Sequence, residues 1–222
     1  MARTTAQKAK KPRSEPRKRA KGPATRAGIL ALARNLFSVH GYHATGIADI
    51  FEASGLSKGA FYYHFHTKQA LAMAILDEIP GAYERELIAP AAAMPSPGAR
   101  LREMLRRAVA LNRRGDWCNC QLLMTLAADL TDADGALHDR IAGMFSGMFD
   151  LWRDAVAAAQ ASGEVRADVS ADVCAQWLVF TIMGFLLSKK LGGEHVPAEH
   201  VVEAALAFLG LAKGDGQKEM QG

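Results

Sequence analysis

Residues 45–68, TGIADIFEASGLSKGAFYYHFHTK, decide the fold. Thr45 reads as the N-cap of a short helix, a position where a side-chain oxygen accepts a bond from a first-turn N–H. Ile47, Ile50 and Phe51 give that helix its apolar face, and Asp49 sits in the first turns, where the helix dipole favours negative charge. Ala53-Ser54-Gly55 forms the turn, with Gly55 free to take the positive φ a tight reversal needs. Leu56 plugs the angle between the helices. Ser57 caps a second short helix, Lys58 to about Phe65, in which Phe61 and Phe65 lie four apart and face inward. Lys58, Gly59, Tyr62, Tyr63 and His64 are then left outside, because one helix face cannot bury three consecutive residues. Two short helices across a Gly-containing turn are the helix-turn-helix form, whose second helix enters a DNA major groove. A helix N-terminus aims free N–H groups at phosphate. Lys58 adds a full charge there, Gly59 admits close backbone approach, and the tyrosine hydroxyls and His64 can donate to phosphate oxygens.

On the N-terminal side, Ile29, Leu32, Ala33, Leu36, Phe37 and His40 mark one stripe of an amphipathic helix, capped by Thr25 and closed by Gly41. Before it, residues 1–23 carry Pro12, Pro16 and Pro23, no apolar period and mostly Lys, Arg, Ala, Ser and Thr, which predicts a disordered basic arm. Ten Lys and Arg against Glu15 leave residues 1–26 at +9, so the remainder of this +4 chain carries −5. A basic end on an acidic body suits a polyanion engaged at one end.

Phe37, Gly41-Tyr42, Thr45, Ile50, the run Ser57-Lys58-Gly59-Ala60-Phe61-Tyr62-Tyr63-His64-Phe65 and Lys68 resemble the DNA-binding domain of the tetracycline-repressor (TetR) family. The resemblance covers residues 25–70 and implies Thr45, Ser57, Lys58, Gly59, Tyr62, Tyr63, His64 and Lys68 as the DNA-contacting positions. Two residues thin the readout. Gly46 stands where the family often carries a second hydroxyl, and Ala60 offers the bases no hydrogen bond.

Downstream, the apolar period predicts six further helices, for about nine in all. The fourth runs from Lys68, with Thr67 as N-cap, to a kink or stop at Pro80-Gly81, and residues 89–98, with three prolines, read as a loop. The others cover roughly 98–114, 117–130, 135–161, 171–191 and 197–209. The fold class is therefore all-α: an N-terminal three-helix helix-turn-helix domain (24–66), a C-terminal helical regulatory and dimerisation domain (67–212), and a flexible tail (213–222). The arginines of the fifth helix read as a solvated face.

The eighth helix is apolar nearly all round in its middle, so something must cover every side of it. A second copy supplies that cover if the eighth and ninth helices pair with their counterparts. The resemblance implies the same homodimer, which would place two recognition helices about one DNA turn (~34 Å) apart on a palindrome. Trp117, Cys120, Met124, Phe145, Phe149, Trp152, Trp177 and Phe180 form a soft, aromatic set on helices six to eight. As residues they suit either plain core or the apolar wall of a small-molecule pocket. The resemblance implies an inducer site in this half, and hence a ligand-responsive repressor that leaves its operator when a small apolar molecule or reactive species binds. Two alternatives stand beside it: a DNA-binding activator, or a redox or electrophile sensor acting through Cys118 or Cys120.

Other classes find no support in the sequence. The chain has no phosphate-binding Gly-rich loop, no HExxH, no GxSxG and no CxxC, so no enzyme is expected. No cofactor is implied, and His64 and His66 lack a cysteine or acid at ligand spacing. No apolar run reaches the ~20 residues of a membrane span. Three cysteines, Cys118, Cys120 and Cys174, form no disulfide framework, which sets a cytoplasmic expectation.

Overall fold

Every regular element among the described residues is helical. The structure, a computed structural model, describes residues 26–113, 118–190 and 196–211. The basic arm, the Thr25 cap, Trp117 and residues 213–222 lie outside the described residues, as do the side chains of Cys118 and Cys120. The elements are α1 (Arg26–His40), α2 (Ile47–Ser54), α3 (Lys58–His64), α4 (Lys68–Tyr83), a π-helical turn (Glu84–Ile88), α5 (Ala89–Ala92), α6 (Pro97–Arg113), α7 (Cys118–Asp129), a 3-10 turn (Asp132–Asp134), α8 (Ala136–Ala161), α9 (Ala171–Lys190) and α10 (Ala198–Leu209). Because α4, the π turn and α5 run on without a break, they stand for one of the nine expected helices.

That continuity corrects two expectations. Pro80 lies inside α4 and does not end it, and residues 89–92 are helical where a loop was expected. Between the two prolines the backbone widens. In the π turn the Ala89 N–H reaches Glu84 O, five residues back. Pro90 has no N–H to offer the Glu86 carbonyl four residues earlier. Arg107 of α6 supplies the donor instead, its Nη1 lying 3.3 Å from Glu86 O while its Nε bonds Glu103 at 2.6 Å. Arg100 likewise donates to Met94 O at 3.2 Å. At least two arginines of the expected solvated face therefore satisfy backbone or acid partners.

Two cores divide the molecule. The first gathers Ile29, Phe37, Ile50, Phe61 and Phe65 of the head with Leu71, Ile75 and Ile79 of α4, and extends into Leu122 and Leu126 of α7, Leu130 just past its end, and Leu137 and Ile141 of α8. The second holds Leu87, Leu101, Leu105, Trp152, Val156, Leu178 and Leu209. Burying a side chain the size of Leu or Phe is worth about 1.5–3 kcal/mol. The head's fold thus depends on apolar surface supplied by α4, α7 and α8. Salt links run the same way: Arg34 of α1 to Glu78 of α4, and Arg140 of α8 to Asp77 of α4 at 3.0 Å.

Candidate nucleic-acid interface

The turn between α2 and α3 forms as its residues require. Gly55 takes φ 65° and its N–H bonds Glu52 O, while Ser54 Oγ accepts from the Leu56 N–H at 3.2 Å. Ser57 caps α3, its Oγ accepting from the Ala60 N–H at 3.3 Å, and Thr67 caps α4 through the Ala70 N–H at 3.0 Å. Phe61 and Phe65 are buried beneath α3. Phe51 meets Phe61 edge-on at 5.6 Å and Tyr62 at 6.3 Å, which half-buries Tyr62 and fixes its ring.

What remains outside is Ser57, Lys58, Gly59, Ala60 and Tyr63. Tyr63 is 81% exposed, braced edge-on by His64 at 5.1 Å. No atom stands within 4 Å of where a Cβ would lie on Gly59, so this side of the helix start is open. The exposed face therefore combines a hydroxyl, an ammonium and unobstructed backbone at the N-terminus of α3 with a phenol in its last turn, a donor set for phosphate and base edges.

Two of the expected contact residues have partners within the protein. Thr45 is 3% exposed, and its hydroxyl donates to Gly41 O at 2.7 Å. The N-cap of α2 is Gly46, whose N–H is bonded by the Asp49 carboxylate at 2.8 Å. Thr45 is thus one residue too early to cap α2 and instead ties the preceding turn. Lys68 is half-buried at the start of α4. Its Nζ donates to Tyr42 O at 2.8 Å and sits 4.1 Å from the centroid of the Tyr42 ring, so its ammonium is engaged inside the protein.

Of the eight side chains expected around a ligand, six lie among the described side chains, and they have different surroundings. Trp152 is 3% exposed within the second core. Phe145 packs on the first core and Phe149 on the second, and Met124 is half-buried on α7. Phe180 is 57% exposed and meets Phe149 edge-on at 5.9 Å. Trp177 stacks on Phe208 at 4.0 Å and lines a groove of about 330 Å³ between α9 and α10, with Thr181, Phe185, Val196 and His200. Cys174 is buried, and burial pushes its thiol up, away from thiolate reactivity.

A joint that the sequence did not suggest lies behind the interface. The His43 N–H donates to Asp129 Oδ2 at 2.8 Å, and His43 Nε2 lies 3.3 Å from Asp134 Oδ2. The partners are 86 and 91 residues apart, so no local pattern marks them. The Thr131 N–H, and then His43, hold the Asp134 carboxyl below its ordinary range, while burial and then Asp134 push the Tyr42 phenol up.

Comparison with known proteins covers both parts of the chain. Residues 29–75 match the family described as bacterial regulatory proteins, tetR family, and residues 97–205 match the tetracyclin repressor-like C-terminal domain. The HTH-type transcriptional regulator TtgR of Pseudomonas putida is 42% identical over 55 residues, 25% of this chain and 26% of that protein. Such matches span only about a quarter to a third of the curated relatives' lengths. Among solved structures, a TetR transcriptional regulator from Chloroflexus aurantiacus superposes with a TM-score of 0.70 at 25% identity, covering 83% of this chain and 93% of that one. AibR in complex with isovaleryl coenzyme A and operator DNA superposes at 0.71 with 22% identity, covering 84% and 99%.

Proposed function

The chain belongs to the TetR family of bacterial regulatory proteins, and on that footing we propose that it is a homodimeric, ligand-responsive transcriptional repressor binding a palindromic operator through α2 and α3. The observation that carries the reading is the open surface of α3, where Lys58 and Gly59 at its start and Tyr63 near its end stand clear of the protein on a buried Phe61–Phe65 base. Ser57, Lys58 and Gly59 address phosphate, and Tyr62, Tyr63 and His64 supply the remaining contacts along the groove.

Val173, Phe180 and Leu187 support the dimer. They recur every seventh residue on α9, and all three are exposed, at 53%, 57% and 44%. A seam of that period on one helix face suits a partner helix. A second copy set against α9 and α10 covers the seam and the groove beside Trp177. The inducer is a small apolar molecule held in the body. Its binding favours one arrangement of the body and so one spacing of the two heads.

The test is to isolate the genomic fragments that the protein retains and to measure binding of the shared sequence by fluorescence anisotropy, with light scattering on the same sample. The reading expects a two-fold symmetric site, a dimer mass, and transcription from the adjacent promoter that rises when the protein is removed. Transcription that falls instead would make it an activator, and a monomer bound to an asymmetric site would end the dimeric reading.

A further inference from the structure

The C-terminal end of α1 and the turn after it are clasped by a corner of the body. Along α7, Gln121 Nε2 and Thr125 Oγ1 both donate to Ser38 O, at 3.4 and 3.3 Å. At the end of α7, Asp129 accepts the His43 backbone N–H. One turn later Asp134 meets the other end of the same residue, at the ring. Asp134 is itself immobilised, since its Oδ2 accepts from the Thr131 N–H at 2.8 Å and from the Thr131 hydroxyl at 3.3 Å. Gly41 shows how close the corner comes. Its φ is +88°, and a Cβ there would lie 3.0 Å from Asp129 Oδ2. Tyr42, the residue between, is pinned by Lys68 from the start of α4.

We propose that Asp129 and Asp134 are positioning residues: a clasp on His43 that fixes the pitch of the helix-turn-helix against the body, and with it the distance between the two recognition helices. The inference rests on the dimeric, palindrome-binding reading above. Its physical content is preorganisation. A head free to swing on α4 could meet half-sites at several spacings but would lose orientational freedom on binding, whereas a clasped head has lost that freedom already and tolerates one spacing. One inserted base pair moves a half-site by about 3.4 Å and turns it by about a tenth of a helical turn, a mismatch that a rigid pair of heads cannot follow. The clasp also supplies a route for the signal. Asp129 ends α7 and Asp134 precedes α8, so any ligand that shifts these two helices against each other moves the two grips on His43.

The experiment uses the full chain and duplexes selected by it from a random pool, remade with the central spacer longer or shorter by one and two base pairs. Wild type is expected to lose at least tenfold in affinity for a spacer change of one base pair. The double variant Asp129→Ala/His43→Ala is expected to bind the parent duplex several-fold more weakly yet lose less than threefold when the spacer changes. Asp129→Asn and Asp134→Asn each keep an acceptor oxygen and should retain the wild-type response, as should Arg140→Gln, which breaks the α4–α8 surface pair instead. Should the double variant fail to fold by circular dichroism, His43→Ala alone, whose ring is half-exposed, is expected to show a partial loss of discrimination. A wild type with sharp spacing preference whose clasp variants are equally sharp would overturn the clasp and leave the repressor reading intact. A wild type with no symmetric site would remove both.

Discussion

Replacing Lys68 by Met separates the role its neighbours dictate from the one its family resemblance implies. The side chain's four-carbon stem has a close apolar substitute in Met, so the change removes the charge and its bonds more than the packing. Two interactions are lost: the ammonium-to-carbonyl bond to Tyr42 at 2.8 Å and the contact with the Tyr42 ring at 4.1 Å. A hydrogen bond from a charged donor is worth about 1.5–3 kcal/mol, and a cation over an aromatic face about 0.5–1 kcal/mol at a partly exposed site. The Tyr42 carbonyl keeps the Thr45 N–H at 3.3 Å, which offsets part of the loss. The net expectation is about 2 kcal/mol of lost stability. In a chain of this size that lowers the melting temperature by about 4–8 °C. A phosphate-bound lysine behaves differently, since its removal leaves the melt alone and reduces the slope of log affinity against log salt by about one per subunit. Differential scanning calorimetry and anisotropy titrations at several salt concentrations read the two effects separately. A melting temperature unchanged within a degree, with a reduced salt slope, would refute the assignment of Lys68 to the Tyr42 turn.

Tyr63→Ala should leave stability within about 0.5 kcal/mol, as for most surface changes, and weaken operator binding by about 1–3 kcal/mol in anisotropy titrations. Phe180→Lys places a charge on the exposed seam of α9 and should yield a folded monomer by light scattering with intact helicity by circular dichroism. Glu164 supplies a pH dependence: the Ser96 hydroxyl, then the Ser162 hydroxyl and the Gly98 N–H, hold its carboxyl below its ordinary range. A depressed folded value stabilises fully above the unfolded pKa of about 4.3 and is lost as pH falls through the folded one, so Glu164→Gln should flatten the acid limb of melting temperature against pH below about pH 4.3.

The head was legible because its determinants are local. The Ser57 and Thr67 caps, the Gly55 turn and the Phe61–Phe65 base each act within four residues, and each forms as its sequence requires. One error also has a local cause. Thr45 and Gly46 are both acceptable caps, and the tie went to Gly46 because Asp49 reaches back to its N–H and the Gly41 carbonyl takes the Thr45 hydroxyl. Pro90 read as a break for a reason that is not local, since the donor that serves the Glu86 carbonyl comes from Arg107, seventeen residues beyond Pro90, on another helix. The aromatic residues of the body were legible as apolar but not as a site. Their period says which face of a helix is apolar, and only packing decides that Trp152 is sealed while Phe180 points to solvent.

The same long-range contacts change how the head is understood to move. A domain joined to its neighbour by one continuous helix can rotate about that helix at little cost, because nothing off the axis resists. Here a separate grip, off that axis, holds His43 at the α7–α8 corner. Two attachments that are remote in sequence and offset in space fix an orientation where one fixes only a distance. The prolines do not interrupt this connection, since Pro80 lies inside α4 and the π turn carries the helix on into α5. A signal therefore does not have to bend α4 to reach DNA. It has to shift α7 against α8 far enough to disturb the two contacts on His43, at 2.8 and 3.3 Å.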